Sequence, residues 1–480
     1  MNDSGIDPRQ VAVVGGGITG LAAAHRLREL DPQVEVTLLE SASRLGGVLE
    51  TIRRDDFLIE GGADNFITQV PWAVDLCRRI GFQDQLVETR DGHRQAFVVR
   101  RGRLRKIPEG FVVMAPSRVW PVVTTPILSP LGKLRMAAEY FVPKGSEQGD
   151  ESLASFVTRR FGRETYQRLV QPLIGGIYTG DPEKLSLQAT LPRFLQMEQE
   201  HGSLIRAVLR QAGQRPSRDS GGRYSMFVAP RGGLSSLVEA IADRLPAGAV
   251  QLNAPVTGLI AAPEGGWALS IGQGSSEQRR FDAVILATPA QATARLVSGL
   301  DPQLAERLRQ IRHAGCALVS LAYRRQQVGH PLDGLGFVVP YIENRRILSG
   351  SFASVKYPGR APDDCVLMRV YIGGALQPEL ADLPDDQLLT IAKEELTELL
   401  QLKGEPLLSH ISRRPHAMPQ YYVGHAELVA EVRQRESQLA NLFLAGNAYE
   451  GVGIPQCIHS GEQAAEQVCR QQRETQSPRS

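Results

Sequence analysis

Cysteine is scarce in this chain. Five occur among 480 residues, at Cys77, Cys316, Cys365, Cys457 and Cys469. No two form a C-x-x-C pair and the number is odd. Neither a zinc site nor a disulfide framework is indicated, and the low density suits a reducing compartment. A surplus of one charge is missing too. Lys and Arg total 54 against 52 Asp and Glu, a formal +2, which argues against a chain built to coat nucleic acid. No uninterrupted apolar run reaches the ~18 residues that span a bilayer. Val11–Ala24 is too short for this and Val119–Leu131 too rich in proline. The opening MNDSGIDPRQ lacks the basic and apolar regions of a secretory leader. These shortages place the expected protein in the cytoplasm. What remains is ample for a core: 42% of residues are hydrophobic, and this length favours two or three domains. Glycine is in excess, with 47 residues, about a tenth of the chain against a usual ~7%.

The first 75 residues read as a βαβ unit. Val11–Val14 is a short buried-strand run, Gly15–Gly20 follows at once, and the Ala- and Leu-rich stretch Leu21–Leu30 reads as a helix. Val34–Leu39 is a second strand, closed by Glu40. The middle, from Arg101 to Arg218, is proline-punctuated, with helices expected at Leu153–Phe161 and Gly202–Gln211 and a linker or loop over Gln211–Arg223. Strand signals return near Gly233 and Val256. They continue at Phe281–Pro289, Ala317–Tyr323, Gly336–Pro340, Ile347–Phe352 and Val366–Gly373. A helix over Gln387–Leu400, a strand at Leu442–Ala445 and a helix over about Ser460–Gln471 close the chain. The order suggests a nucleotide-binding domain assembled from separated segments.

Gly15-x-Gly17-x-x-Gly20 carries that reading because it follows a strand, opens a helix, and is answered by Glu40 twenty residues after Gly20. The glycines allow a tight turn, close approach of a pyrophosphate and close helix–strand packing. Gly16, Ile18 and Thr19 belong to the same helix start, whose free N–H groups favour an anion. Glu40 can accept from a ribose diol. Ser41, Arg44, Gly47 and Val48 extend the pattern, with Arg44 placed to clamp the diphosphate. This extended form resembles FAD enzymes of the glutathione-reductase and amine-oxidase type. In that comparison Gly62, Ala63, Asp64 and Asn65 resemble the segment that returns to the flavin, and Val256 the strand that touches adenine. A strand, a glycine-rich turn and a helix recur at Leu444–Gly461, where Asn447, Val452, Gly453 and Ile454 would meet the flavin. An ordinary glycine turn or strand core would also explain each piece taken singly.

The core Tyr449-Glu-Gly-Val-Gly-Ile-Pro-x-Cys457-Ile-x-Ser-Gly461 resembles the porphyrinogen oxidases of heme synthesis. So do Glu198–Leu204, read as a helix start, Arg231–Ser235, Gly334–Pro340, Pro419–Tyr421 and Gly424-His425. The resemblance covers nearly the whole chain. It implies an α/β and α+β multidomain fold: a Rossmann-like FAD-binding domain built from discontinuous segments, 1–75, 223–300 and 426–480. A mixed-sheet substrate domain would come from 76–110 and 301–425, and a mainly helical insertion from 111–222. The implied reaction is the six-electron oxidation of protoporphyrinogen IX to protoporphyrin IX, with three dioxygen reduced to hydrogen peroxide. Coproporphyrinogen III is the alternative substrate on the same scaffold. The implied partners are FAD, a porphyrinogen and dioxygen. Gly336, Val338 and Tyr371 are the implied substrate pocket, strand core being the other reading of each. No side-chain base is assigned: His313, His416 and His459 are scattered, and no metal site is called. Many protoporphyrinogen-specific members of that family carry an arginine, paired with a propionate, where this chain has Ala96. Arg94, Arg100 and Arg101 lie close by in sequence. Apolar clusters in Phe111–Tyr140 admit a peripheral membrane contact at the inner membrane face, or a loop packed on its own domain. A homodimer is compatible with the sequence. An amine oxidase or desaturase, and a non-enzymatic escort protein of the same fold, are weaker readings: the Tyr449–Cys457 signature argues against the first, and the intact Gly15, Gly17, Gly20, Glu40 and Arg44 against the second.

Overall fold

The structure, a computed structural model, describes residues 9–90, 95–112, 114–116, 119–145, 149–214, 226–272 and 277–476. A five-stranded parallel sheet organises it, in the order Val250–Gln251, Glu35–Leu39, Gln10–Val14, Ala283–Leu286, Leu442–Leu444. Its strands come from three distant stretches of chain. Val11–Val14, Leu38–Leu39 and Ala283–Leu286 of the inner strands are apolar and buried because both faces are covered. The helices Ile18–Leu30, Leu234–Ala242 and Ile454–Gln476 cover one face. The other carries the antiparallel sheet Val256–Ala261, Trp267–Ile271, Glu277–Phe281 and the helices Ala290–Val297, Pro302–Gln310 and His425–Glu436.

A second sheet has seven strands, in the order Leu408–Pro419, His313–Arg324, Cys365–Gly373, Ser349–Ser351, Gly336–Val338, Ala96–Arg100, Arg103–Lys106. Strand alternation divides its side chains. Phe97, Val319, Leu321, Phe337, Met368 and Val370 share a core with Leu388, Ile391, Leu396 and Leu399 of the helix Asp385–Leu400. The opposite face looks toward the nucleotide segments and a helical region. There Phe156, Phe161, Leu169, Ile174, Phe194 and Leu204 form one core with Val98 of the sheet.

Several elements differ from the sequence reading. Gly233 opens the helix Leu234–Ala242, and the strand before it is Phe227–Pro230. Glu198–His201 ends the helix Pro192–His201. The next helix, Leu204–Gln214, starts after Gly202 and Ser203, so Glu198–Leu204 bridges two helices and does not open one. The last helix begins at Ile454, six residues before Ser460, with Pro455 in its first turn, where the missing N–H costs nothing. The strand Leu408–Pro419 was not foreseen. Residues 215–223 of the expected linker, and Arg94, lie outside the described residues.

Candidate functional site

Gly15 leaves the first strand at φ +109, and a Cβ there would sit 2.6 Å from the carbonyl oxygen of Ala287. A Cβ on Gly20 would strike the carbonyl of Gly15. Both positions need glycine for the protein's own packing. Gly17 differs: it caps the helix Ile18–Leu30, no side chain caps it in turn, and a Cβ there meets no protein atom within 4 Å. The space before this helix N-terminus is open, and the first-turn N–H groups of Ile18, Thr19 and Gly20 carry the helix's partial positive charge.

Glu40 stands at the same mouth. Its Oε2 accepts from the Gly16 N–H at 2.6 Å and its Oε1 from the Ala42 N–H at 2.8 Å. Ser41 Oγ is 3.2 Å from Oε1. Ala254 donates its N–H to the Glu40 carbonyl at 2.8 Å, bringing Val256 to this end of the sheet. Arg44 spends its guanidinium on the turn that follows, donating to the carbonyls of Leu45 (3.0 Å), Leu49 (3.1 Å) and Gly47 (2.8 Å). It therefore orders the turn that sets Gly47, at φ +59, where a Cβ would sit 3.5 Å from the Cα of Gly17. Val48 is exposed, and a Cβ on Gly62 would strike its carbonyl. The segment Gly62, Ala63, Asp64, Asn65 thus abuts the Gly46–Leu49 turn.

The C-terminal piece reaches the same place. A Cβ on Gly461 would strike the carbonyl of Thr19, so the last helix crosses the first at near backbone contact. Gly446 donates to Ser460 Oγ at 3.0 Å, and a Cβ on Gly446 would meet nothing within 4 Å. Asn447, Val452 and Gly453 lie on the loop after Gly446, and Ile454 opens the helix that follows. Three residues outside the sequence-based set hold this loop. Tyr421 donates its hydroxyl to the Asn447 carbonyl at 2.5 Å and accepts from the Gly451 N–H at 2.8 Å. His425 stacks on Tyr421 with ring centroids 4.0 Å apart. Arg433 lies over the Tyr449 ring at 4.8 Å and donates to the Leu444 carbonyl at 2.9 Å. Burial holds His425 down to about 4, with the Tyr449 carbonyl opposing weakly. The motif match at Tyr421 and His425 was the available signal.

On the seven-stranded sheet, Gly336 pairs in register with Ala96 and Ser351, and Ser351 with Arg369. Two residues along, Val338 pairs with Val98 and Ser349, and Ser349 with Tyr371. Gly336, Val338 and Tyr371 are therefore on one face. A Cβ on Gly176, in the helix Gln171–Tyr178, would be 3.2 Å from Val338, so sheet and helical region meet there. A cavity of about 500 Å³ opens further along this sheet, between the bulged strand ends at Ala314–Cys316 and Arg414–His416. It is lined by none of the three pocket residues but adjoins their face at Cys316 and Gly374. His313 bonds Gln291 and the Ile311 carbonyl and lines the cavity together with His416, whereas His459 stacks on Trp72 away from both. The three do not converge.

Two cations that sequence reasoning passed over complete the site. Lys356 Nζ lies 2.8 Å and Arg369 Nη1 3.2 Å from the same oxygen of Asp64, and Arg369 also donates to the Gly62 carbonyl. The Lys356 and Arg369 charges hold Asp64 down to about 2 against the upward push of burial. Burial raises Tyr371 to about 12, the Arg369 charge acting against it. The signal for Arg369 was a lone charge inside the apolar strand Val366–Gly373.

The model of flavin containing amine oxidoreductases matches residues 18–469. The coproporphyrinogen III oxidase of Bacillus subtilis (strain 168) is 33% identical over 468 residues, covering 95% of this chain and 97% of that protein. The coproporphyrinogen III oxidase of Propionibacterium freudenreichii subsp. freudenreichii is 35% identical, covering 95% and 90%. Protoporphyrinogen oxidase 2 of Arabidopsis thaliana is 27% identical, covering 96% and 94%. A solved chain from Exiguobacterium sp. 255-15, assigned to the protoporphyrinogen oxidases, superposes with a TM-score of 0.86 at 30% identity, over 97% of this chain and all of that one. Reduced UDP-galactopyranose mutase, at TM-score 0.71 and 16% identity, shares the fold.

Proposed function

This chain belongs to the flavin-containing amine oxidoreductases, and among them to the coproporphyrinogen and protoporphyrinogen oxidases; within that family we propose that it oxidises coproporphyrinogen III to coproporphyrin III with dioxygen. It is an oxidoreductase with FAD as cofactor. The residues present suit that cofactor: the open space before Gly17, the Glu40 carboxylate beside it and the Gly446 turn form a cradle that no protein atom fills.

The observation that favours coproporphyrinogen is the place of Ala96. It is the in-register neighbour of Gly336, so a methyl group occupies the point where an arginine would meet a propionate. The coproporphyrinogen relatives are also the more similar in sequence, at 31–35% against 26–28%. Arg100, on the same face of the same strand, lies near Arg168, Glu164 and Glu343 and is available to a carboxylate arm.

The bound flavin supplies a two-electron acceptor that dioxygen restores. The chain's own part is to hold and shield. Val338 packs on Gly176, closing the sheet against the helical region at one end of this face, and Gly336, which can carry no Cβ against the Gly350 carbonyl, leaves the backbone bare for a flat macrocycle. The pyrrole nitrogens assist loss of hydride from a methylene bridge, so positioning suffices where no base is placed.

A peripheral membrane contact fits the helical region. Trp120, Leu131, Leu134 and Phe141 are 74%, 78%, 68% and 80% exposed on neighbouring elements, a density of apolar surface that marks a contact site. No helix among the described residues is long and apolar enough to cross a membrane.

The deciding experiment compares porphyrin fluorescence and dioxygen uptake of the flavin-loaded protein on the two porphyrinogens. A faster rate on coproporphyrinogen III is expected. A faster rate on protoporphyrinogen IX overturns the substrate assignment, and no oxidation of either overturns the function.

A further inference from the structure

We propose that Arg369 and Lys356 form a buried charge site that stabilises the negative charge of the reduced flavin and so raises its reduction potential. This goes beyond the reading above and rests only on its flavin, not on which porphyrinogen is oxidised.

Arg369 is fully buried in the middle of the strand Cys365–Gly373. Its Nη2 reaches the Gly62 carbonyl, its Nη1 shares one oxygen of Asp64 with Lys356, and its Nε has no partner. The other oxygen of Asp64 accepts from Asn65 Nδ2 at 2.7 Å. One carboxylate therefore answers two cations. The wider surroundings do not restore the balance. Arg360 donates to the carbonyls of Pro230 and Arg231. Glu60, its nearest acid, accepts from the Leu234 N–H and from Thr51, and burial raises its pKa. Arg414 is paired with Glu50. Cys316 and Tyr371, the remaining groups facing Arg369, are raised to about 11 and about 12 by burial and stay neutral. Lys356, Arg360 and Arg369 thus face Asp64 and Glu60, three cations against at most two anions.

An uncompensated buried charge is costly, by several kcal/mol once desolvation is counted. A fold that keeps one gains when a ligand brings the counter-charge. The cluster touches the Gly62–Asn65 segment, which abuts Val48 and, through Gly47, the turn at Gly17. It lies on the cofactor side of the sheet, in the row of Gly336. Two electrons and one proton arriving as hydride leave a flavin with one negative charge, and a fixed positive field at that place favours the reduced state.

The test is the two-electron midpoint potential of the purified holoprotein without substrate, by equilibration with reference dyes, with sulfite affinity as a second reading. Arg369→Gln should weaken the reduced state and sulfite binding roughly tenfold, which is a fall of about 30 mV for a two-electron couple. Lys356→Met should move both in the same direction, and Arg369→Lys should restore most of the loss. Wild-type potentials in both Arg369→Gln and Lys356→Met overturn the proposal, as does a change confined to KM for the porphyrinogen, which would make the pair an anchor for substrate carboxylates. Where Arg369→Gln does not fold, Lys356→Met decides alone. Shifted potentials in a protein that oxidises neither porphyrinogen would leave this inference standing and overturn only the substrate reading. A chain that takes up no flavin overturns both.

Discussion

Arg160, Arg360 and Arg369 are fully buried among the described residues, and the surroundings of Arg160 and Arg369 are opposite in kind. Arg160, in the helical region, uses its whole guanidinium. Nε donates to Glu139 at 2.8 Å, and Nη1 to the carbonyls of Val142 (3.1 Å) and Pro143 (3.0 Å) and to Glu198 (3.2 Å). Nη2 donates to the Gly202 carbonyl at 2.9 Å. Glu139 is saturated in return by Ser203 Oγ and by the N–H groups of Leu204 and Ile205, the free donors of a helix start. Glu198 is shared with Arg159 at 2.6 Å. Arg369 reaches the Gly62 carbonyl and shares Asp64 with Lys356, with an idle Nε and half a counter-charge. A closed network fixes chain against chain and has nothing left to offer a ligand. An open one contributes less to the fold and keeps a field for chemistry.

That contrast can be broken by experiment. Glu139→Ala leaves Arg160 buried without its main partner and removes a helix cap. A loss of about 3–5 kcal/mol is expected, read from denaturant midpoints, with the flavin spectrum of the folded fraction unchanged. A loss below about 1 kcal/mol would erase the difference between the two regions. The next effect is set by acid. The folded pKa of Asp64, about 2, lies below its ordinary 3.8, so the stabilisation it brings is complete above pH 3.8 and is lost as pH falls through 2. Wild type should lose about 2 kcal/mol more over that window than Asp64→Asn, and equal slopes would remove the carboxylate from the account. His425 acts higher on the scale. Its folded pKa of about 4 is below the usual 6.5, so its contribution is full above pH 6.5 and fades toward pH 4. His425→Gln should flatten the stability profile there, and an unchanged profile would mean that the imidazole is not buried as described. Least change is expected at the surface. Phe141→Ser with Leu131→Ser should alter stability by no more than ~0.5 kcal/mol while reducing co-sedimentation with anionic vesicles. Undiminished sedimentation would count against the membrane contact.

The sequence was most legible where local chemistry decides structure. The first strand, its glycine turn and Glu40 need no distant partner to be recognised, and the helix Leu153–Phe161 has the expected bounds. It was least legible where a partner decides. Leu408–Pro419 carries Arg413, Arg414 and two prolines and has little strand preference of its own; its twelve residues are held by pairing with His313–Arg324. Gly233 sits at φ +88, with the Thr51 side chain where a Cβ would be, and so reads as punctuation whether a strand or a helix follows. The candidate site divides the same way. Glycines announced the cradle, because a turn against a phosphate excludes side chains. Arg369 announced only a lone charge in an apolar strand and Lys356 nothing, since only the tertiary fold brings Asp64 between them.

The crossing of the first and last helices at Thr19 and Gly461 has a temporal meaning. A ribosome delivers the Gly15–Gly20 turn long before the Asn447–Ile454 segment, and the edge strand Leu442–Leu444 arrives with that segment. A nascent chain stalled before Leu442 lacks an edge of the nucleotide sheet and one wall of the cradle. The two halves of the Gly17–Gly446 opening are therefore joined by parts of the chain made far apart in time, and a chain cut before Leu442 keeps the first half without the second.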